Sequence, residues 1–252
     1  MKPYIVFKVS GIKGHIISDE MKSFAPNDDL VESVEITQSS DRIEKIKFIL
    51  KENATDNRII NQLTKKVERF IVNIYGKLHP SINKFNLQIE QIYTPNNDDT
   101  STLQINSCIA ISDSITIICS YGIETFKELY DQKSPNPDAD NIYMLLYNIM
   151  KIDNIVTRFL MQYELLLSLV APTHKQKEVT EYIKNTYNPV QSYQKIGFHR
   201  TRKIGQTYDE DDLTYYRNLL GHNDSSEMVN DSTIKSCSNV LANVIYFKLL
   251  NP

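Results

Sequence analysis

No tryptophan occurs in the 252 residues, and cysteine is confined to Cys108, Cys119 and Cys237. An odd number of widely spaced cysteines builds neither a disulfide framework nor a metal-ligand cluster, and it suits a reducing compartment. No apolar run approaches the roughly 20 residues that a membrane helix needs. The opening MKPYIVFKVSG lacks the layout of a signal peptide. Together these absences predict a cytoplasmic protein with no membrane partner. Nor is there an excess of positive charge: the net charge is −3. That argues against wholesale coating of nucleic acid while leaving room for a local basic patch. His15, His79 and His174 have no Cys or His neighbour at ligand spacing, so no metal is expected. Gly11-Ile12-Lys13-Gly14 is too weak a signal for a phosphate loop, and no cofactor is expected.

What is present is ordinary for a globular chain, with 41% apolar and 23% charged residues. The length allows one large domain or two modest ones. The N-terminal half reads as strands around one helix. Residues 4–9, 31–36 and 45–50 are β-branched, aromatic or alternating runs. Residues 55–77 carry Ile59, Ile60, Leu63, Val67, Phe70, Ile71 and Ile74 on one helical face, ending near Gly76 and His79-Pro80. Strand candidates follow at 85–93, 102–111 and 114–120, the first two joined by the polar turn 95–99.

The pattern changes near Tyr121. A short helix is expected at 123–130 and a proline loop at 134–138. Beyond that loop the sequence predicts helices only. Residues 142–152 and 153–171 read as two helices or one kinked helix. The second piece is apolar nearly all round and should be the core helix of a bundle. Capping-box spacings at Thr173/Gln176, Thr207/Glu210 and Asp224/Glu227 would open three further helices, with Asn188-Pro189 closing the first of them. Residues 190–208 are expected to be a loop. The predicted fold class is therefore α+β: an N-terminal α/β domain over residues 1–121 and an all-α bundle over residues 122–252.

The chemistry is concentrated in Arg217-Asn218-Leu219-Leu220-Gly221-His222. Five positions on a straight helix place Arg217 and His222 about 140° apart. They converge only if the helix breaks between them, and Gly221 tolerates the backbone angles of a helix end. Histidine moves protons near neutral pH, and arginine stabilises charge growing on a phosphate. Asparagine can orient a neighbour or hold the sugar. RNA brings its own nucleophile, the 2′-hydroxyl, so proton transfer, positioning and charge stabilisation suffice for cleavage. Spacing alone is weak: seven arginines and five histidines give about 0.14 chance pairs at this separation. The glycine break and the helical signals on both sides strengthen it. A plain helix end with an incidental Arg is the alternative.

This motif resembles the signature of the HEPN superfamily. The stretch Arg158-Phe-Leu-Met-Gln-Tyr-Glu-Leu-Leu-Leu-Ser-Leu169 is similar to the core helix of its larger Apea-like and methylamine-utilisation-like proteins. The resemblance covers about residues 122–252. It implies a helical bundle, a homodimer that joins two motifs in one cleft, and a metal-independent endoribonuclease of toxin or antiviral-defence type. It matches His222 to the catalytic histidine, Arg217 to the phosphate-contacting arginine and Asn218 to the polar residue beside it. Glu164 falls where relatives carry an acidic residue on the core helix. Its functional reading is to orient Arg217 or His222; a salt bridge or an exposed edge is the alternative. Some HEPN domains are non-catalytic scaffolds or nucleotide-binding subunits of larger complexes, and that is the competing function.

Around the motif, Lys195, His199, Arg200, Arg202 and Lys203 form a basic cluster that could receive an RNA backbone. The opposing reading is a solvated loop beside the acidic run Asp209-Glu210-Asp211-Asp212. Tyr216 or Tyr215 could stack on a base, although a core position suits their helical spacing. The N-terminal domain matches no recognised family and is expected to sense, to regulate or to dock a partner at its strand edges.

Overall fold

The computed structural model describes residues 1–10, 14–53, 57–78, 86–95, 101–105, 119–132, 139–190, 195–203, 206–221 and 229–251. Outside them lie the expected turn at 96–99, most of the strand candidates at 106–111 and 114–118, the proline loop 134–138 and the Asp224/Glu227 capping pair. His79-Pro80, Cys108 and His222 lie outside them as well. The fold is α+β, and the chain divides into two compact units, Met1–Lys133 and Ser134–Pro252.

In the first unit the strands are β1 (Tyr4–Ser10), β2 (His15–Ile17), β3 (Ser23–Phe24), β4 (Val31–Gln38) and β5 (Ile43–Leu50). Helix α1 (Asn57–Leu78) follows, then β6 (Asn86–Pro95), β7 (Ser101–Ile105), β8 (Cys119–Tyr121) and helix α2 (Ile123–Asp131). Six strands form an antiparallel sheet in the order β3-β4-β5-β1-β6-β7. The runs at 4–9, 31–36 and 45–50 fall on β1, β4 and β5, as their alternation requires. The short β2 was not expected; it pairs in parallel with β8. Leu63, Val67, Phe70, Ile71 and Ile74 of α1 are buried. Helix α2 packs on α1 and β3, so it belongs to this unit and not, as expected, to the helical half.

A single carboxylate organises the entry to β4. Asp28 accepts from the backbone N–H groups of Leu30 at 2.8 Å and Val31 at 3.2 Å. Its other oxygen accepts from Tyr130 Oη at 3.0 Å and from Lys66 Nζ. Burial pushes the Asp28 carboxyl up, but the bonds from Lys66, Leu30 and Tyr130 outweigh it and leave the pKa below the ordinary value of 3.8. The same burial and the same carboxylate hold the Tyr130 phenol well above its usual range.

In the second unit come α3 (Ala139–Met150), α4 (Ile155–Val170) and α5 (Gln176–Tyr182). A π-helical turn (Ile183–Tyr187) leads into the short α6 (Asn188–Val190). Strands β9 (Phe198–Lys203) and β10 (Gln206–Asp211) precede α7 (Asp212–Gly221) and α8 (Asp231–Leu250). Helix α4 contacts α3, α5, α7 and α8, and its burial of Phe159, Tyr163, Leu165 and Leu166 fits the core helix that the sequence predicts. Residues 151–154 separate α3 from α4, and Asn154 Oδ1 caps α4 by accepting from Thr157 N at 2.8 Å. Asn188-Pro189 does not close the preceding helix; the π-turn carries it on to Val190.

The principal departure is that residues 198–203 and 206–211 pair as the two antiparallel strands of a β-hairpin, where a loop running into a helix was expected. Its strands pair a basic segment with an acidic one, with Arg200 opposite Asp209 and His199 opposite Glu210; opposite charges facing across strands favour pairing. Thr207 and Glu210 are therefore strand residues, and their capping-box spacing is a coincidence. The last helix likewise begins later than expected, at Asp231, where Asn230 Oδ1 accepts from Ser232 N at 2.9 Å.

Replacing Asp28 by alanine leaves Lys66, Tyr130 and two backbone donors without their acceptor, and should cost about 3 kcal/mol at neutral pH. A group whose folded pKa is depressed stabilises above its unfolded pKa and loses that contribution as pH falls through the folded one. Urea unfolding of wild type and Asp28→Ala should thus differ at pH 7, and the gap should close as pH drops below 3.8.

Candidate active site

The site is built on α7 and on what holds it. Asp211, the residue before the helix, is fully buried. Its Oδ1 accepts from the backbone N–H of Thr214 at 3.0 Å, which satisfies an orphan donor of the first turn. Its Oδ2 accepts from Thr214 Oγ1 and from Thr180 Oγ1 on α5, both at 2.6 Å. Thr214 Oγ1 lies 2.8 Å from Tyr163 Oη on α4. Burial holds the Tyr163 phenol well above its ordinary pKa, so it stays neutral and protonated. The next residue, Asp212, accepts from Gly197 N at 3.1 Å, and a Cβ at Gly197 would stand 2.7 Å from its Oδ2. Glycine is what permits that approach.

One turn along, Arg217 and Asn218 lie three and four positions beyond Thr214 and so share its face. Arg217 Nη2 donates to Glu164 Oε1 at 3.1 Å. Its guanidinium carbon stands 5.8 Å from the centroid of the Tyr163 ring, within cation–π range. Adjacent residues of α4 thus clip two turns of α7: Tyr163 meets Thr214, and Glu164 meets Arg217. Glu164 thus forms an exposed ion pair with Arg217, a contact that both roles weighed for it contain. The Arg217 side chain keeps 31% of its surface exposed. A Cβ placed on Gly221 would lie 3.8 Å from Arg217 Nη1, so the guanidinium reaches along the last turn to the end of α7. His222 is bonded to that glycine, and its own position lies outside the described residues.

Asn218 is held more firmly than the sequence suggests. Gln176 Nε2 donates to Asn218 Oδ1 at 2.9 Å, and Asn218 Nδ2 donates back to Gln176 Oε1 at 3.2 Å. Asn218 Nδ2 also donates to Glu210 Oε1 at 2.7 Å. The asparagine oxygen in turn accepts from Arg217 Nη1 at 3.4 Å. Gln176 and Glu210 were not anticipated as site residues. Gln176 was read as a helix cap 42 positions away, and Glu210 as the second member of a capping box.

The basic cluster is spread along the hairpin. Lys195 is exposed before β9, Arg200 is exposed on it, and Arg202 and Lys203 continue the strand. His199 does not point to solvent alone: its ring stacks on Tyr215 with centroids 4.0 Å apart and meets Tyr216 edge-on at 6.2 Å. His199 Nε2 stands 2.8 Å from Asp212 Oδ1 and pairs with it when protonated. Tyr216 is half-buried, packed in this aromatic group. Among the described residues, no three His, Cys, Asp or Glu side chains stand together as a metal site.

No family model, curated protein or solved structure matches this chain.

The geometry separates two roles. Truncating Asp211 to alanine removes a helix cap and leaves two threonine hydroxyls without their charged acceptor. Unfolding experiments should register a loss of about 3 kcal/mol. Glu164→Ala breaks an exposed pair and should change stability by less than about 1 kcal/mol. A loss of stability with Glu164→Ala as large as that with Asp211→Ala would mean that the Glu164–Arg217 contact is structural.

Proposed function

We propose that the protein is an endoribonuclease of the HEPN type that needs no metal, with Arg217, Asn218 and His222 as its motif. One observation carries the reading. A half-exposed arginine is held by Glu164 and the Tyr163 face at the end of α7, beside the glycine that joins His222. An arginine fixed in this way, with donors still open to solvent, is suited to a phosphate.

In the proposed reaction the 2′-oxygen of the RNA attacks the adjacent phosphorus. The 2′-O–P bond forms and the P–O5′ bond breaks. A histidine takes the 2′-hydroxyl proton, and another supplies a proton to the departing 5′-oxygen. The products are a 2′,3′-cyclic phosphate and a 5′-hydroxyl. A second copy of the chain supplies the second histidine, so a homodimer through the helical unit completes the cleft. Arg217 stabilises the charge on the phosphorane-like transition state. Asn218 acts as a positioning residue, its amide anchored by Gln176 and Glu210 and its oxygen against Arg217. Glu164 orients Arg217. The N-terminal unit is the regulatory or assembly surface, and the target is cytoplasmic RNA.

His222→Ala and Arg217→Ala should each lower RNA cleavage at least about 100-fold in buffer containing a chelator. End-labelling should find a 5′-hydroxyl on the downstream fragment. Undiminished cleavage by both variants would sink the site. Activity that vanishes with chelator and returns with metal would sink the mechanism. An inactive but folded wild type would favour a non-catalytic subunit.

A further inference from the structure

Beside the Arg217 network, α5, β10 and the first turn of α7 enclose a cavity of about 320 Å³. That volume falls at the small end of the roughly 300–1,000 Å³ typical of ligand sites. Gln176 and Thr180 line it from α5, Tyr208 and Glu210 from β10, and Thr214 from α7. We infer that this cavity takes a single nucleobase of the RNA strand, stacked on Tyr208, with the adjoining phosphate at Lys184. The choice of RNA as ligand rests on the cleavage reading above, whereas the place and chemistry of the subsite rest on the cavity itself.

Three features fit that occupant. Tyr208 lines the cavity and yet is 42% exposed, and an aromatic face open to solvent is the usual platform for an unpaired base. The lining is largely apolar, as the face of a base requires, and its carboxylate, Glu210, is only 5% exposed and already accepts from Asn218. At the rim stand two exposed ion pairs, Lys184 Nζ with Asp209 Oδ2 and Lys177 Nζ with Glu181 Oε1, each at 3.5 Å. Such pairs are weak and exchange readily, so a phosphate can take the place of the carboxylate on Lys184.

The cavity is also linked to the motif by hydrogen bonds. Gln176 and Glu210 line it and hold Asn218, whose oxygen lies 3.4 Å from Arg217 Nη1. Two side chains in series, a lining residue and Asn218, therefore separate the bound base from the arginine. A base seated here sets the strand beside Arg217, which makes the cavity a specificity subsite.

The test uses the full chain and the four ribonucleoside 3′-monophosphates, with binding followed by isothermal titration calorimetry. Saturable binding is expected. Tyr208→Ala should weaken binding about 10-fold or more, and Lys184→Glu several-fold, while Arg217→Ala still binds. Both altered side chains are well exposed, and circular dichroism checks that each variant folds; if Tyr208→Ala fails to fold, Lys184→Glu decides. The inference is overturned if none of the nucleotides binds at millimolar concentration, or if the folded pocket variants bind as wild type does. Binding lost only in Arg217→Ala would place the nucleotide on the motif and overturn it as well. RNA cleavage measured in parallel separates the two ideas. An active enzyme without Tyr208-dependent binding sinks the subsite alone. Tyr208-dependent binding by an inactive protein sinks cleavage alone.

Discussion

The second unit turns on a buried carboxylate. Asp211 has no exposed surface, and an ionised group in that setting is tolerated only when its oxygens are hydrogen-bonded. Thr180 and Thr214 supply two hydroxyls, and the first turn of α7 supplies a backbone N–H. The positive end of the helix dipole favours the same charge. Three elements meet at this one side chain: α5 through Thr180, the hairpin through Asp211 itself, and α7 through Thr214. Tyr163 extends the link to α4. Once Thr214 is fixed, helical geometry fixes Arg217 and Asn218 three and four positions on. The direction of the arginine is thus set more than a turn upstream of it.

The acidic run Asp209-Glu210-Asp211-Asp212 shows how little a charge pattern says by itself. Read as a string it is a solvated stretch. In the fold the four carboxylates have four different tasks. Asp209 meets Lys184, Glu210 holds Asn218, Asp211 caps α7, and Asp212 secures the chain at Gly197. Successive side chains of a strand point to opposite faces, and the strand passes into a helix at Asp212. Four neighbours are thereby sent in different directions.

The same transition marks where the sequence stops being readable. The central strands and α1 are legible because alternation and the 3.6-residue period each repeat over many residues. So is α4, which is apolar nearly all round because four helices cover it. The hairpin is not legible. Its strands are charged rather than apolar, and their register sets a basic segment against an acidic one, a signal no local period carries. Thr207 and Glu210 then imitate a capping box while the operative cap sits four residues on, as Asp211 with Thr214. Arg217, Asn218 and Glu164 could be named from the sequence through the motif and the resemblance it carries, not through local structure alone. Gln176 and Glu210 could not, because their contact with Asn218 depends on how α5 and the hairpin pack against α7.

What sets Arg217 apart is the number of contacts gathered on one partly exposed cation. Its partner Glu164 is 56% exposed, and an ion pair so open to water contributes about 0–1 kcal/mol. The chain nevertheless surrounds the guanidinium with a carboxylate, an aromatic face and an amide oxygen. Each contact restricts a flexible side chain, and restriction costs rotamer entropy. The side chain still keeps 31% of its surface open, at the end of a helix that a buried aspartate aims. An exposed cation held in one orientation is preorganised for an anion. In the proposed function, a phosphate competes with Glu164 for the same donors, and the pair that positions Arg217 at rest is the one the incoming strand displaces.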